Sequence, residues 1–282
     1  MTRDRISRKV IWVLENKGLG NALQAWRLAI LHGWKPDLEV ASELAGNAAS
    51  RGLVFETSWI YRDARRWKLQ LPAKFIALCY LRRMNELDRY NAIKYASKSL
   101  DVMMRVDQRF LTDPIWKQVI KAQSTAGELA MDRLVKALPE PLPQEHQKDI
   151  VIGFAYVGNA PRALQFYRNL SSKDANVIRA VLQVVLRAPS PLLSDVSELE
   201  NDAERFLNRL DAGREQRGHF LRVELVNHYA RVGKVDMMKK HIEQLLSRES
   251  KSEWQASSPG GILPNALKGA LHTTVPLHMS VV

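Results

Sequence analysis

Residues Arg3 to Asp37, RDRISRKVIWVLENKGLGNALQAWRLAILHGWKPD, decide the fold. Apolar residues recur at helical spacing over Ile6 to Asn16 and again over Asn21 to His32, which predicts two helices joined by the turn Lys17 to Gly20. Gly33 suits the positive φ of a helix C-terminal cap, and Pro36 stops any continuation. Units of the same kind begin at Leu38, Ala73 and Gln108, each 35 residues after the last, and each has a small residue twenty positions in: Ala22, Thr57, Ala92 and Gly127. A period of about 35 residues built of paired helices predicts an all-α solenoid, in which each hairpin buries its apolar face against its neighbours. The small residue is expected where the second helix crosses the first, because a larger side chain there would push the backbones apart.

Outward from that unit the chain reads as about seven hairpins over residues 3–249, a right-handed superhelix without sheet. The second pair is expected at Glu39 to Ser50 and Val54 to Lys68, broken at Arg51-Gly52. The third runs over Lys74 to Met84 and Asp88 to Met104, with its break at Asn85-Glu86. The fourth begins near Pro114 and ends at Pro139, Pro141 and Pro143. That cluster is either a long inter-repeat loop, favoured because the pattern resumes at once, or a boundary between sub-blocks near 139–144. The fifth pair is expected at Asp149 to Val157 and Ala160 to Leu170, with Ala163 twenty positions into a unit counted from Gln144. The sixth spans Asp174 to Arg187 and Ser197 to Leu210, and the seventh Arg217 to Arg231 and Val235 to Arg248, turning at Gly233-Lys234. Residues 250–282 lose the helical period. Trp254, Ile262, Leu263, Leu267 and Leu271 lie there among Ser, Gly and Pro, which predicts a tail that is disordered alone or laid along a partner.

Composition fits a soluble helical protein: 282 residues, 46% hydrophobic, with few Pro and Gly. No apolar run approaches the roughly 18 residues of a membrane span, so no membrane partner is expected. The single cysteine, Cys79, excludes a disulfide framework and reads as a small buried hydrophobe in a reducing compartment. The net charge of +12 is uneven. Residues 1–110 hold 20 Lys+Arg against 11 Asp+Glu, or +9, leaving 22 against 19, or +3, for the rest. A polyanion would meet the N-terminal half first, since cations that neutralise phosphates release counterions. A basic surface also serves to dock an acidic protein.

Asn21-Ala22-Leu23 followed by His32-Gly33-Trp34-Lys35-Pro36-Asp37 resembles the second helix and exit of a pentatricopeptide repeat. Ile152 to Leu164 and Leu225 to Asp236 are similar to the centre of that motif, a run of apolar, Tyr and basic residues before a turn glycine. Tetratricopeptide-like repeats are the nearest alternative, with a 34-residue period and a Trp, Gly, Tyr pattern not found here. The resemblance implies organellar RNA biology: RNA processing, stabilisation, editing or translation, with some members built into mitochondrial ribosomes. It also implies that each repeat of a sequence-reading member takes one base with the fifth residue of its first helix and the last residue of the motif. Carried onto this chain, these positions are Ser7 with Asp37, Ser42 with Pro72 and Ala77 with Asp107, with Lys148 and Val223 at the fifth positions of units five and seven. Only Ser7 with Asp37 looks like a base reader. Proline, alanine and valine side chains form no hydrogen bond to a base edge, so a modular code is absent or confined to one or two positions.

The densest positive charge is Arg62, Arg65, Arg66 and Lys68 at the end of the second helix of unit two. The arginines are neighbours at helical spacing, and guanidinium pairs bidentately with phosphate. The plain alternative is a helix C-terminus whose cations complement the macrodipole, with Trp59 and Trp67 in the packing. The resemblance implies that first helices line the concave face, so a second-helix position points to the outer face and to structured RNA or a protein. Arg82 and Arg83 end a first helix and are the better candidates for a concave face. The seven histidines make no metal-ligand spacing, and His228 and His241 read as ordinary packing or solvent-exposed residues. No nucleophile with a base, nucleotide fingerprint or carboxylate pair in a cleft is visible, so neither an enzyme nor a cofactor is expected.

Arg3, Arg5, Arg8 and Lys9 run into an apolar helical face, compatible with a mitochondrial matrix address, although Asp4 is atypical of one. Two functions stand from the sequence. One is an RNA-associated repeat protein of mitochondrial gene expression, a subunit or assembly factor of a ribonucleoprotein such as the mitoribosome, whose partners are structured RNA and other protein subunits. The other is a protein–protein scaffold without RNA contact.

Overall fold

In a computed structural model of the protein, the described residues are 3–84, 89–105, 114–138, 141–188, 196–212 and 218–248. Among them are fourteen helices and no strand. In chain order these are α1 (Arg3–Lys17), α2 (Leu19–Leu31), α3 (Leu38–Ser50), α4 (Val54–Arg66), α5 (Lys74–Met84), α6 (Arg89–Met104) and α7 (Ile115–Ala126). They continue with α8 (Glu128–Ala137), α9 (Gln144–Tyr156), α10 (Ala160–Arg168), α11 (Ala175–Arg187), α12 (Ser197–Ala212), α13 (His219–Val232) and α14 (Val235–Arg248). The chain divides into two compact units, Met1–Pro143 and Gln144–Val282. Each unit is built one way: a first helix packs on its own second helix and on the first helix of the next hairpin. That pairing makes each unit a stack of helical hairpins, an α-solenoid, and in the first unit α1 and α3 start 35 residues apart. The expected tail 250–282, the break at Asn85-Glu86 and Asp107 lie outside the described residues.

In the first unit, Trp26 meets Trp34 edge-on at 5.4 Å. Both rings lie in a core with Val10, Leu19, Leu23, Leu44 and Ile60. The face of α3 made by Ala41, Ala45 and Ala48 is fully buried, and its small side chains admit the close approach of neighbouring helices. Local chemistry sets the helix ends. Asp37 accepts the N–H of Val40 as the N-cap of α3, and Asp174 accepts the N–H groups of Asn176 and Val177 as the N-cap of α11. Gly52 turns the second hairpin at φ +70, where a Cβ would meet the backbone nitrogen of Arg83 at 3.3 Å. Glycine is required there on both counts.

Several expected details move. Ala22, Thr57 and Ala163 are buried at the twentieth position, but Ala92 is only half-buried, and it is Ala96, one turn on, that is fully buried in α6. Gly127 is not at a crossing: at φ +111 it is the turn between α7 and α8. The twentieth position is thus a buried small residue in hairpins one, two and five but not in three and four. The fourth hairpin has short helices of 12 and 10 residues. Helix α4 stops at Arg66, short of Lys68, and α9 starts at Gln144, five residues ahead of the expected Asp149. The extra turn of α9 is explained by burial of His146 and by the ion pair of Lys148 with Asp174.

Candidate nucleic-acid interface

The last two turns of α4 carry the basic cluster. Arg62, Arg65 and Arg66 are exposed. The Arg66 side chain is 75% exposed and lies 3.9 Å from Asp63, a buried carboxylate one turn back. Among the described residues no ion pair engages Arg62 or Arg65. Beyond Arg66 the backbone reverses. Lys68 adopts φ +57, its N–H donates to Arg65, and the N–H of Leu69 donates to Ala64, a closure in which the residue in the left-handed region is a lysine where glycine is usual. The Lys68 ammonium is therefore carried off the α4 helical face while remaining exposed.

Two aromatic rings flank the cluster, each under a cation from the preceding hairpin. The Arg27 guanidinium of α2 stands 3.7 Å from the ring centre of Trp59, and Lys35 Nζ stands 5.9 Å from that of Trp67. These rings are thus neither wholly core nor wholly free: each is half-buried and carries a positive charge on its face. Tyr61 donates to the carbonyl of Pro72, tying the end of α4 to the loop before α5, and burial pushes its phenol above the ordinary range. The result is a fixed strip of positive charge from α2, the α2–α3 connection and α4 in the first unit.

The remaining expected residues fall elsewhere. Arg82 is exposed at the end of α5, whereas Arg83 is half-buried and already engaged. The fold does bring Ser7 and Asp37 together, but onto each other: Ser7 Oγ donates to Asp37 Oδ2 at 2.5 Å, and Ser7 is buried. Asp37 Oδ1 is occupied by the N–H of Val40. Lys148 repeats the arrangement, with Nζ 3.0 Å from Asp174 Oδ2. Ala77 is fully buried, while Ser42 and Val223 are half-buried. Cys79 is buried, and burial raises its thiol pKa, which favours the inert thiol over the thiolate.

Sequence reading missed a polar core in the second unit. Glu200 accepts from His228 Nε2 at 2.7 Å and from Lys234. Glu204 accepts from His241 Nε2 at 2.5 Å, Tyr229 at 3.1 Å and Lys240 at 3.0 Å. Arg222, 1% exposed, donates to Asp211 and Gln244 and lies 3.3 Å from His241 Nδ1. Both histidines are therefore buried and carboxylate-paired. The available signal was Glu200 and Glu204 one helical turn apart, with His228 and His241 on the two helices that follow. Burial would raise the Glu204 carboxyl, but the bonds from His241 and Lys240 outweigh it and hold it at about 2. Burial lowers the His228 ring despite the Glu200 hydrogen bond that opposes it, so the ring is neutral and donates through Nε2, leaving Nδ1 buried without a partner. Apart from that nitrogen, these groups satisfy one another inside the packing, which is a structural role. Among the described residues no three His, Cys, Asp or Glu side chains are grouped to hold a metal ion, and no helix is long and apolar enough to cross a membrane.

No family model matches the chain, and no curated protein matches it. The crystal structure of the pentatricopeptide repeat protein PPR10 from maize is similar over 96% of this chain and 41% of that one, at 12% identity and a TM-score of 0.46. The chain thus spans about two fifths of the length of that protein.

Proposed function

We propose that this chain is a non-catalytic, RNA-associated helical-repeat protein whose first unit holds phosphates of a structured RNA through Arg62, Arg65, Arg66 and Lys68. The observation that carries this reading is the exposed cluster itself, in which Arg66 meets one carboxylate, Asp63 at 3.9 Å, and Arg62 and Arg65 meet none among the described residues, flanked by Trp59 and Trp67 with their own cations. The first unit holds 24 Lys+Arg against 15 Asp+Glu, so the cluster sits in a unit of strongly positive net charge. A guanidinium that keeps its place without a protein carboxylate is free to pair bidentately with phosphate, and such contacts position a nucleic acid without reading its sequence. Binding is therefore largely sequence-independent. The pentatricopeptide-like repeats and the basic N-terminal stretch support a place in mitochondrial gene expression, in the matrix, as a subunit or assembly factor of a ribonucleoprotein such as the mitoribosome.

Salt dependence tests the reading. Replacing Arg62, Arg65 and Arg66 with Gln should weaken binding to unrelated RNA duplexes and stem-loops alike. Each lost phosphate contact should reduce the slope of log K against log salt by about one. Unchanged affinity and slope in the triple variant would place any RNA contact elsewhere. A protein scaffold without RNA contact is the second reading, favoured by one observation: the side chains of Ser7, Asp37 and Lys148 are already engaged within the fold.

A further inference from the structure

The first hairpin carries a second open surface, which shares Lys35 with the positive strip but none of the arginines of α4. Between α1 and α2 runs an open cavity of about 640 Å³ lined by the aliphatic side chains of Ile6, Val10, Ala25 and Leu28 and by the Gly33-Trp34-Lys35 connection. That volume is within the roughly 300–1,000 Å³ of clefts that bury a ligand. Leu28, itself part of that aliphatic lining, is 57% exposed. The charged and titratable side chains lining the cavity are Lys9, His32 and Lys35, with no carboxylate among them.

We infer that this groove is a docking site for an amphipathic helix of an acidic protein partner, a helix with an aliphatic stripe bordered by Asp and Glu. Three observations select that occupant. This fold covers a helix pair with a helix: α3 lies against both α1 and α2, and α11 against both α9 and α10. A further helix laid along the α1–α2 groove would bury Leu28 in the same manner. The lining does not suit a nucleobase, because Trp34 is 5% exposed and spends its ring edge-on against Trp26, so no aromatic face is offered for stacking. The all-basic rim fits carboxylates flanking an apolar stripe and disfavours lysines there.

Two labelled peptides of about 14 residues, roughly four helical turns, test the assignment on the full chain by fluorescence anisotropy. Both carry Leu at i, i+3, i+4 and i+7, one with Glu and the other with Lys at the remaining positions. The acidic peptide should bind and its basic twin should not. Leu28→Glu, a change at an exposed site, should weaken the acidic peptide about tenfold or more. The double variant Lys9→Glu with Lys35→Glu should reverse the preference toward the basic peptide, with the helical circular dichroism of each variant unchanged. The Arg62, Arg65 and Arg66 to Gln variant should bind the acidic peptide as the wild type does, which separates this site from the RNA reading. The inference is overturned if the acidic peptide fails to bind or both peptides bind equally. It is also overturned if the wild-type chain self-associates in sedimentation and Leu28→Glu abolishes this, which assigns the groove to a second copy. Binding to anionic lipid vesicles that Leu28→Glu removes would overturn it in favour of a lipid surface.

Discussion

Lys148 Nζ lies 3.0 Å from Asp174 Oδ2, and the two residues stand in the same relation as Ser7 and Asp37 in the other unit. In each case the fifth residue of a first helix reaches the N-cap of the next first helix. Burial would raise the Asp174 carboxyl. The Lys148 ammonium and the N–H groups of Val177 and Asn176 outweigh it and hold it below the usual carboxylate range. One aspartate therefore does two things at once, ending the orphaned donors of a helix and fastening successive hairpins.

Removing either cap should be felt in stability. Asp37→Ala and Asp174→Ala should each cost about 1 kcal/mol, read as a lower urea midpoint at constant m. Asp37→Asn, which retains an acceptor for the N–H of Val40, should recover most of the loss. Equal loss in the Ala and Asn variants would show that the carboxylate charge, and not the cap, is the stabilising element.

The crossing positions separate two readings of the repeat. Ala22 is fully buried in the core of the first unit, whereas Ala92 is half-buried. Ala22→Leu should overpack the α1–α2 crossing and cost about 1–3 kcal/mol, while Ala92→Leu should change stability by less than about 0.5 kcal/mol. Thermal unfolding of both variants checks this. A large loss from Ala92→Leu would restore the strict 35-residue register in the third hairpin.

Hairpin number and most helix ends were legible because they depend on local chemistry: Gly33, Gly52 and Gly233 at positive φ, Asp37 and Asp174 before α3 and α11. The slip at Ala92 and Gly127 was not, since burial along α6 is set by how far that helix slides against α5 and α7, which no local signal encodes. The same limit applied to chemistry. The arginines of α4 could be read as exposed from their spacing alone. The burial of Arg222, His228 and His241 depends on carboxylates 28 and 37 residues away for the two histidines and on Asp211 for the arginine.

Lys68 sits in the left-handed region at φ +57 as the residue that closes α4. A Cβ is strained there, by roughly 1 kcal/mol or more. Lys68→Gly should therefore raise stability by a few tenths to about 1 kcal/mol, partly offset by the greater freedom of glycine in the unfolded chain. The same variant should weaken RNA binding slightly, having lost one cation. Calorimetry and a salt titration on one protein would thus move in opposite directions, and a loss of stability would mean that the Lys68 side chain makes a compensating contact.

Acid should destabilise the protein in two stages, with the sign fixed by which state binds protons first. His228 titrates below its ordinary 6.5 because burial disfavours the charged ring. The unfolded chain therefore takes up that proton first, and the contribution, full above about pH 6.5, is lost as pH falls. Glu204 follows the same sign at lower pH. Its carboxyl is held at about 2 against an ordinary 4.5, so its contribution is present above about 4.5 and declines toward 2. The groups facing Glu204 are Tyr229 from α13 and Lys240 and His241 from α14, and those facing His228 are Glu200 from α12, Arg231 from α13 and Lys234 from the turn before α14. Melting temperature followed from pH 7.5 to 3 should begin to fall below about 6.5 and fall again below about 4.5. His228→Gln, with an amide to donate to Glu200, should remove the first fall. Glu204→Gln should make the second shallower without abolishing it, because Asp174 and Asp202 are also held below the ordinary range. A wild-type melting temperature that stays level from pH 7.5 to 5 would show that the His228 ring accepts its proton within the fold, with Glu200 as its counter-ion.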